Sequence, residues 1–290
     1  MSKKPKFSII TVSYNHDQYI DQTIESVLNQ TFSDFEYLIV DGNSTDNSRK
    51  IIEKYSKNLR IKPIYQKLNE GAVSSLNEGF KNAEGEFLGY INSDDFYLKN
   101  TLKHVENIFL NNPSIDLIFG NAYMINDKNI VVKDFISKNF SFKRLKINEY
   151  HVCQQATFFR KKIFDQTNGF NPLNKRSWDL ELFADMIKLG AKFKKIDNFL
   201  GCFRVHGDTI TSKGNVENRK ENREHIYNKY FSKPLTFSEK IKKIFIYFFD
   251  RLNIKFLFYR FKILYYKLVK IEISKNEKKI TNNFSRLFKR

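Results

Sequence analysis

Cysteine is nearly absent: Cys153 and Cys202 are the two thiols in 290 residues. Two cysteines cannot form a disulfide framework, and without a CxxC pair they cannot build a zinc finger. A leader-like apolar run is missing as well. The basic start, Met1 to Lys6, is followed by Phe7–Val12, which stops at Ser13, Tyr14, Asn15, His16 and Asp17. That run is too short for a signal h-region, and no small-residue cleavage site follows. From Lys240 to Val269 charges recur every few residues, so no stretch of roughly twenty apolar residues is available to span a bilayer. No GxGxxG follows the first apolar run and no GxxxxGK[ST] occurs, which removes a dinucleotide-binding fold and a P-loop NTPase. The lack of GxSxG weakens an α/β-hydrolase. The chain reads as cytosolic and reduced.

What is present is an ordinary globular composition, 41% hydrophobic and 28% charged, enough for one sizeable α/β domain with an appendage. The charge is less ordinary. Fifty Lys and Arg against thirty-two Asp and Glu give +18, which asks for an anionic partner. Residues 233–290 hold sixteen basic and four acidic residues, a local +12 that leaves +6 on the first 232. That tail is also dense in Phe and Tyr.

The first hundred residues alternate. Phe7–Ser13 reads as a strand, and Tyr19, Ile20, Ile24, Val27 and Leu28 recur at helical spacing. Tyr37–Val40 is a second strand ending at Asp41, and Ser44, Thr45 and Asp46 offer N-cap chemistry to a helix bearing Ile51, Ile52 and Tyr55. A third strand near Ile61–Tyr65 precedes a helix with Leu76 and Phe80, and a fourth, Phe87–Ile91, runs into Asn92-Ser93-Asp94-Asp95. Beyond Pro113 the pattern predicts a strand over Asp116–Gly120, an irregular segment to about Glu149, an extended His151–Arg160 and a helix over Asp179–Leu189. Strands alternating with helices mean βαβ units and a mainly parallel sheet. Ligands bind such sheets at the carboxyl ends of the strands, where Tyr14, Asp41 and the Asp94-Asp95 pair converge.

An Asp-Asp pair at a strand end is by itself often a turn or a helix cap. Its sharper reading is a site where hard carboxylate oxygens hold Mg²⁺ or Mn²⁺ against a diphosphate. Three segments decide between them. Ser8 to Asn15 (SIITVSYN), Leu38 to Asp46 (LIVDGNSTD) and Gly85 to Asp95 (GEFLGYINSDD) together closely resemble the family 2 glycosyltransferases of bacterial surface-polysaccharide type. The likeness is dense over residues 5–98 and traceable to about residue 213.

The resemblance implies a GT-A fold, a Rossmann-like mainly parallel sheet flanked by helices. It implies inverting, metal-dependent transfer of a sugar from a nucleotide-diphosphate donor, a UDP-sugar being favoured, to a glycan or lipid-linked glycan. It places Val12, Tyr14, Asp41, Gly71, Asn77 and Asp94 on the nucleotide sugar, with Asp95 and His206 on Mn²⁺ or Mg²⁺. In Trp178-Asp179-Leu180-Glu181, Asp179 takes the general-base position, and Glu181 reads as support or surface. Gln155, Trp178 and Arg204 fall at the acceptor pocket and closing loop, with Arg204 a candidate phosphate partner. One departure stands out: Ser74 occupies a position where many relatives carry Asp, which bears on the choice of donor sugar.

The expected organisation is a nucleotide-sugar-binding half over 1–98, an acceptor-binding half over 99–215 and a basic helical tail over 216–290. Lys and Arg interleaved with aromatics fit helices lying on an anionic membrane surface, which puts the protein at the inner face of the cell membrane. The alternatives are a tail packed on the body with a solvated basic face, or single-stranded nucleic acid stacked on the aromatics, for which no RNA-binding signature is present. A non-catalytic membrane- or nucleic-acid-binding protein on a degenerate transferase body is the rival functional reading.

Overall fold

The computed structural model describes residues 4–174, 176–207, 209 and 216–252, without the side chains of 216–219 and 250–252. The first half runs β1 (Phe7–Ser13), α1 (Ile20–Leu28), β2 (Phe35–Asp41), α2 (Ser48–Tyr55), β3 (Ile61–Tyr65), α3 (Ala72–Lys81), β4 (Phe87–Tyr90), β5 (Phe96–Tyr97) and α4 (Thr101–Asn111). The second adds β6 (Leu117–Ile125), β7 (Val131–Phe135), α5 (Phe142–Lys146), a 3₁₀ turn (Gln154–Ala156), β8 (Thr157–Arg160), α6 (Lys161–Phe164), α7 (Trp178–Lys188) and β9 (Phe193–Arg204). Two further helices follow, α8 (Val216–Tyr230) and α9 (Phe237–Leu252).

Among the described residues the strands lie in one nine-stranded sheet of order β3-β2-β1-β4-β8-β6-β9-β5, with β7 beside β6. All seven residues of β1 are buried, because helices cover both faces and β-branched Ile, Thr and Val pack against each. Phe7 and Ile9 join Ile20, Ile24 and Val27 of α1, Ile52 of α2 and Leu102 and Val105 of α4. Ile10 and Val12 point the other way, to Val73, Leu76 and Phe80 of α3 and Leu182 and Phe183 of α7. Gly79 is what lets α3 lie so close: a Cβ there would stand 2.7 Å from Ile10 Cγ2. At the start of α2, Ser48 N–H donates to Asp46 Oδ1 at 2.9 Å, a local bond that leads the chain into the helix, while the N-cap residue itself is Asn47 and makes no side-chain cap bond.

The order of the strands creates the crevice. β1 pairs in parallel with β2, from Phe7 opposite Phe35 to Ser13 opposite Asp41. It also pairs in parallel with β4 on its other edge. The chain moves outward through β2 and β3 and then returns to place β4 on the opposite side of β1, so the carboxyl ends of β1 and β4 part at a topological switch point.

The second half differs from the sequence expectation. The segment expected to be irregular contains β7 and α5, and the twelve-residue β9 and the short β5 had no counterpart in the reading. Strand β9 alternates poorly, with Asp197 and Asn198 exposed in its middle, and its register against β6 shifts between Phe119 and Ala122. A period-2 pattern cannot reveal such a strand.

Of the tail, α8 packs on α7. Lys229 Nζ lies 2.7 Å from Glu181 and 3.1 Å from Asp185, and the Tyr230 hydroxyl donates to Asp185 at 2.7 Å. Helix α9 touches the body through Lys146 and Glu239, 2.7 Å apart. Among the described residues no helix is long and apolar enough to cross a membrane. Residues 253–290, the greater part of the basic tail, lie outside the described residues.

Candidate active site

Hydrogen bonds lace together the loops at the strand ends. Asn15 beyond β1 has φ 54° and Asn43 beyond β2 has φ 67°, left-handed conformations that Asn tolerates. Asn15 N–H donates to Ser44 Oγ and His16 N–H to Ser48 Oγ, both at 3.0 Å, while Thr45 N–H donates to Asn15 Oδ1 at 2.8 Å. Asp41 anchors this lacing from beneath. It is fully buried, and its carboxylate accepts from Ser44 N–H (3.0 Å), the Ser44 hydroxyl (2.5 Å) and Arg49 Nε (2.6 Å). Asp41, expected on the nucleotide sugar, thus lies beneath the cavity wall, where Val12, Tyr14, His16 and Gly42 stand. Tyr14 is 45% exposed and presents a free aromatic face.

At the end of β4 the two aspartates meet different surroundings. Asp94 lines the cavity, and its Oδ2 is 3.1 Å from His206 Nε2. Asp95 is 1% exposed and its oxygens are taken up inside the protein. Oδ1 accepts from Arg204 N–H at 2.8 Å, and Oδ2 from Gln155 Nε2 at 2.7 Å and Asn92 Nδ2 at 3.3 Å. Burial first, and the neighbouring Asp94 second, push the Asp95 carboxyl well above the ordinary range, against those donors. The expected placement of Asp95 on the metal does not fit: the cavity-facing carboxylate is Asp94, and Asp95 braces it from behind.

Arg204 is corrected on the same grounds. It is 1% exposed, with Nε donating to Asp94 O (2.7 Å), Nη1 to Asn126 O (3.1 Å) and Nη2 to Gln22 Oε1 (2.8 Å), under the Tyr19 ring at 4.6 Å. A guanidinium spent on so many acceptors inside the protein is a bolt between β9 and the Asp94 turn, not a phosphate partner. Gln155 reaches the wall, but its amide is committed to Asp95. Asn77 is corrected too: its side chain donates to Phe170 O (2.7 Å) and accepts from Phe170 N–H (2.9 Å), which ties α3 to the loop before α7. Gly71, at φ 91° before α3, does line the cavity.

Asp179 and Trp178 enter from the far side, on the first turn of α7. Burial raises the Asp179 carboxyl above the usual carboxylate range, opposed by the hydrogen bond it accepts from Leu180 N–H at 2.8 Å. Glu181 is 1% exposed and accepts from Asn171 Nδ2 (2.9 Å), Asn174 Nδ2 (2.5 Å) and Lys229 Nζ (2.7 Å), so it supports α7 and is no surface residue. Asp94 and Asp179 are the acidic residues among the described lining of a cavity of about 450 Å³, a size suited to a small-molecule ligand. Sequence reasoning missed His16, Tyr90 and Arg176, which share this wall. His16, one residue past the Tyr14-Asn15 pair, carried the signal. Tyr90 read only as a strand residue, yet its buried hydroxyl lies beside Trp178 on this wall.

Among the described residues no group of three or more His, Cys, Asp or Glu converges as a metal cage. Asp94 and His206 supply one hard oxygen and one imidazole nitrogen, side by side. Such a pair suits a divalent ion that draws its other ligands from a diphosphate and water, and the imidazole favours Mn²⁺ over Mg²⁺.

Residues 8–167 match the family described as Glycosyl transferase family 2, over half of the chain. The chain is a family 2 glycosyltransferase. Relatives of this glycosyltransferase include the uncharacterized glycosyltransferase MJ1057 of Methanocaldococcus jannaschii, 29% identical over 70% of this chain and 71% of that one. Pasteurella multocida chondroitin synthase is 28% identical over 77% of this chain and 23% of its own length, so the chain spans about a quarter of that relative. The Escherichia coli UDP-Glc:alpha-D-GlcNAc-diphosphoundecaprenol beta-1,3-glucosyltransferase WfgD is 34% identical over 48% of this chain and 54% of WfgD. Residues 1–349 of Staphylococcus aureus TarS, in complex with UDP-GlcNAc, superpose with a TM-score of 0.62 at 23% identity, covering 82% of this chain and 70% of that fragment. The mannosyltransferase PcManGT of Pyrobaculum calidifontis, in complex with GDP-Man and Mn²⁺, gives 0.61 at 13% identity over 99% and 82%. The glycosyltransferase therefore has the GT-A fold that its sequence implied.

Proposed function

We propose that this glycosyltransferase moves a sugar, with inversion, from a nucleoside-diphosphate sugar to a hydroxyl of a glycan acceptor at the crevice between β1 and β4. The observation that carries the reading is the division of the cavity's carboxylates. Asp94 stands with His206 at the strand end, and Asp179 enters separately from α7 with its affinity for a proton raised. One carboxylate serves the leaving diphosphate and the other serves the attacking hydroxyl.

The nucleotide lies along the laced strand-end loops, its base against Tyr14 and its diphosphate toward Asp94 and His206. A divalent ion bound by Asp94 and His206 would supply charge neutralisation of the leaving diphosphate without proton transfer. Asp179 accepts the hydroxyl proton as the acceptor oxygen bonds to the anomeric carbon, and the bond to the diphosphate oxygen breaks on the opposite face, its electron pair leaving with the nucleotide. A single displacement of this kind inverts the anomeric centre. Trp178, on the same turn as Asp179, offers an apolar face to the acceptor ring. Behind these groups Asp95, Arg204 and Gln155 hold the Asp94 turn in place, so that little reorganisation accompanies the reaction.

The donor we favour is a UDP-sugar, supported by the UDP-glucose in WfgD's name and the UDP-GlcNAc bound to TarS. The acceptor we favour is a lipid-linked glycan of a bacterial surface polysaccharide, such as lipopolysaccharide or capsule, supported by WfgD's diphosphoundecaprenol acceptor. The test is release of nucleoside diphosphate from a panel of UDP- and GDP-sugars, with Mn²⁺ and with chelator. Metal-dependent release from at least one donor, lost in Asp179→Asn, is expected. Binding of no nucleotide by the folded chain would overturn the reading.

A further inference from the structure

Helix α9 turns an apolar face away from the protein. Phe237, Ile241, Ile244, Phe245 and Phe248 recur at the i, i+4, i+7, i+8 and i+11 spacing of one helical stripe. They are 79%, 37%, 67%, 57% and 57% exposed, and Phe249 beside them is 66% exposed. At 3.6 residues per turn these side chains fall within an arc of roughly 140°. Glu239 lies on the other side of the helix, where its carboxylate meets Lys146 Nζ at 2.7 Å and Thr236 N–H at 2.8 Å. The helix is thus held to the body by a polar edge, with its rings outward. Lys240 and Lys242, both exposed, project along the two borders of the apolar arc.

So many large apolar side chains on one exposed face exceed what a solvated helix carries by chance. Charge decides what covers them. Lysines border the arc on both sides, and the sequence beyond it, residues 253–290, holds eleven Lys and Arg against two Glu. A protein groove for an amphipathic helix needs only the apolar stripe, whereas this quantity of positive charge calls for an extended anionic surface. We propose that α9 is an interfacial helix that lies in the surface of an anionic membrane. Its rings enter the acyl boundary while Lys240 and Lys242 extend their stems along the apolar face and place their ammonium groups among the phosphates. The surface is independent of the reaction proposed above, and either can fail without the other.

The experiment is vesicle flotation of the full chain with phosphatidylcholine alone and with phosphatidylglycerol added. It compares wild type with Phe245→Ser/Phe248→Ser, and thermal midpoints and sedimentation are recorded for both. Expected is flotation with the anionic vesicles only, weakened by salt, and reduced about tenfold in the double variant, at an unchanged thermal midpoint. Equal flotation of the variant overturns the role of the rings. A fall in thermal midpoint with unchanged flotation overturns it in favour of a face covered by the protein's own chain. A wild-type dimer that the substitutions dissociate overturns it in favour of a second copy.

Discussion

Replacing Asp179 by Asn tests the chemistry with the least disturbance of shape. The side chain sits in the first turn of α7 behind Ser177, and its Oδ1 accepts from Leu180 N–H, a bond that the Asn carbonyl can keep. What Asn cannot do is take a proton from the acceptor. Removal of a general base costs about 10²- to 10⁴-fold in rate, which is about 3 to 5 kcal/mol of barrier at the usual conversion. Donor affinity should hold, because the nucleotide belongs to the β1 and β4 ends. Stability should move the other way. A carboxyl raised by burial contributes its stability below the unfolded pKa near 3.9 and loses it as pH rises through the folded value. At neutral pH the ionised Asp179 is therefore a cost that Asn removes, less the favourable charge of an acid near a helix N-terminus. The wild-type rate should correspondingly fall on the acid side at a pH above the ordinary carboxylate range. The assay pairs nucleoside-diphosphate release with calorimetric donor affinity and thermal melts across pH. Near-normal turnover in Asp179→Asn would refute the base assignment, and lost donor binding would move Asp179 into the nucleotide site.

Two further substitutions test the scaffold beneath the site. Gly79→Ala places a methyl 2.7 Å from Ile10 Cγ2 and 3.2 Å from Val40 Cγ2; overpacking should outweigh the helix-propensity gain and cost about 1 to 2 kcal/mol in urea titration, and a more stable variant would contradict that packing. For Glu181, burial works to raise the pKa, but Lys229, Asn174 and Asn171 outweigh it and hold the carboxyl below 4.5. Its stabilisation is therefore complete above the unfolded value and is lost as pH falls through the lowered one. Glu181→Gln should cost about 2 kcal/mol at pH 7, in thermal melts whose gap from wild type closes on acidification; a gap independent of pH would mean that the charge is not what matters.

The first half of the fold was legible because its physics is local. Strand β1 is buried on both faces and so reads as an unbroken apolar run, α1 repeats its apolar residues every three or four positions, and the polar residues at the strand ends stand out against both. The second half was legible only in part, since β9 pairs with β6 far away in sequence, mixes charge into its middle and shifts register. The same contrast applies to the site. Tyr14 and Asp94 could be placed on the wall because each follows the end of a strand, and the family resemblance placed Gly71, Trp178 and Asp179 there, each at the start of a helix. Which of two adjacent aspartates faces the cavity depends on Arg204 and Gln155, 109 and 60 residues away from Asp95, and no local pattern carries that. Asn77, Asp41 and Arg204 look like site residues in the sequence because hydrogen-bonding side chains are needed equally to hold a site together and to form its wall.

Asp94, with His206 beside it, is proposed to hold the metal end of a nucleoside diphosphate. The most direct measurement is calorimetric titration of UDP into the full chain with Mn²⁺ and with chelator, for wild type, Asp94→Asn and Asp95→Asn. Wild type should bind with Mn²⁺ and lose at least about tenfold in affinity without it. Asp94→Asn should bind with the same low affinity whether Mn²⁺ is present or not, and Asp95→Asn should keep part of the metal dependence, because its oxygens face the protein. Unchanged metal dependence in Asp94→Asn, or its complete loss in Asp95→Asn at a wild-type thermal midpoint, would contradict the account.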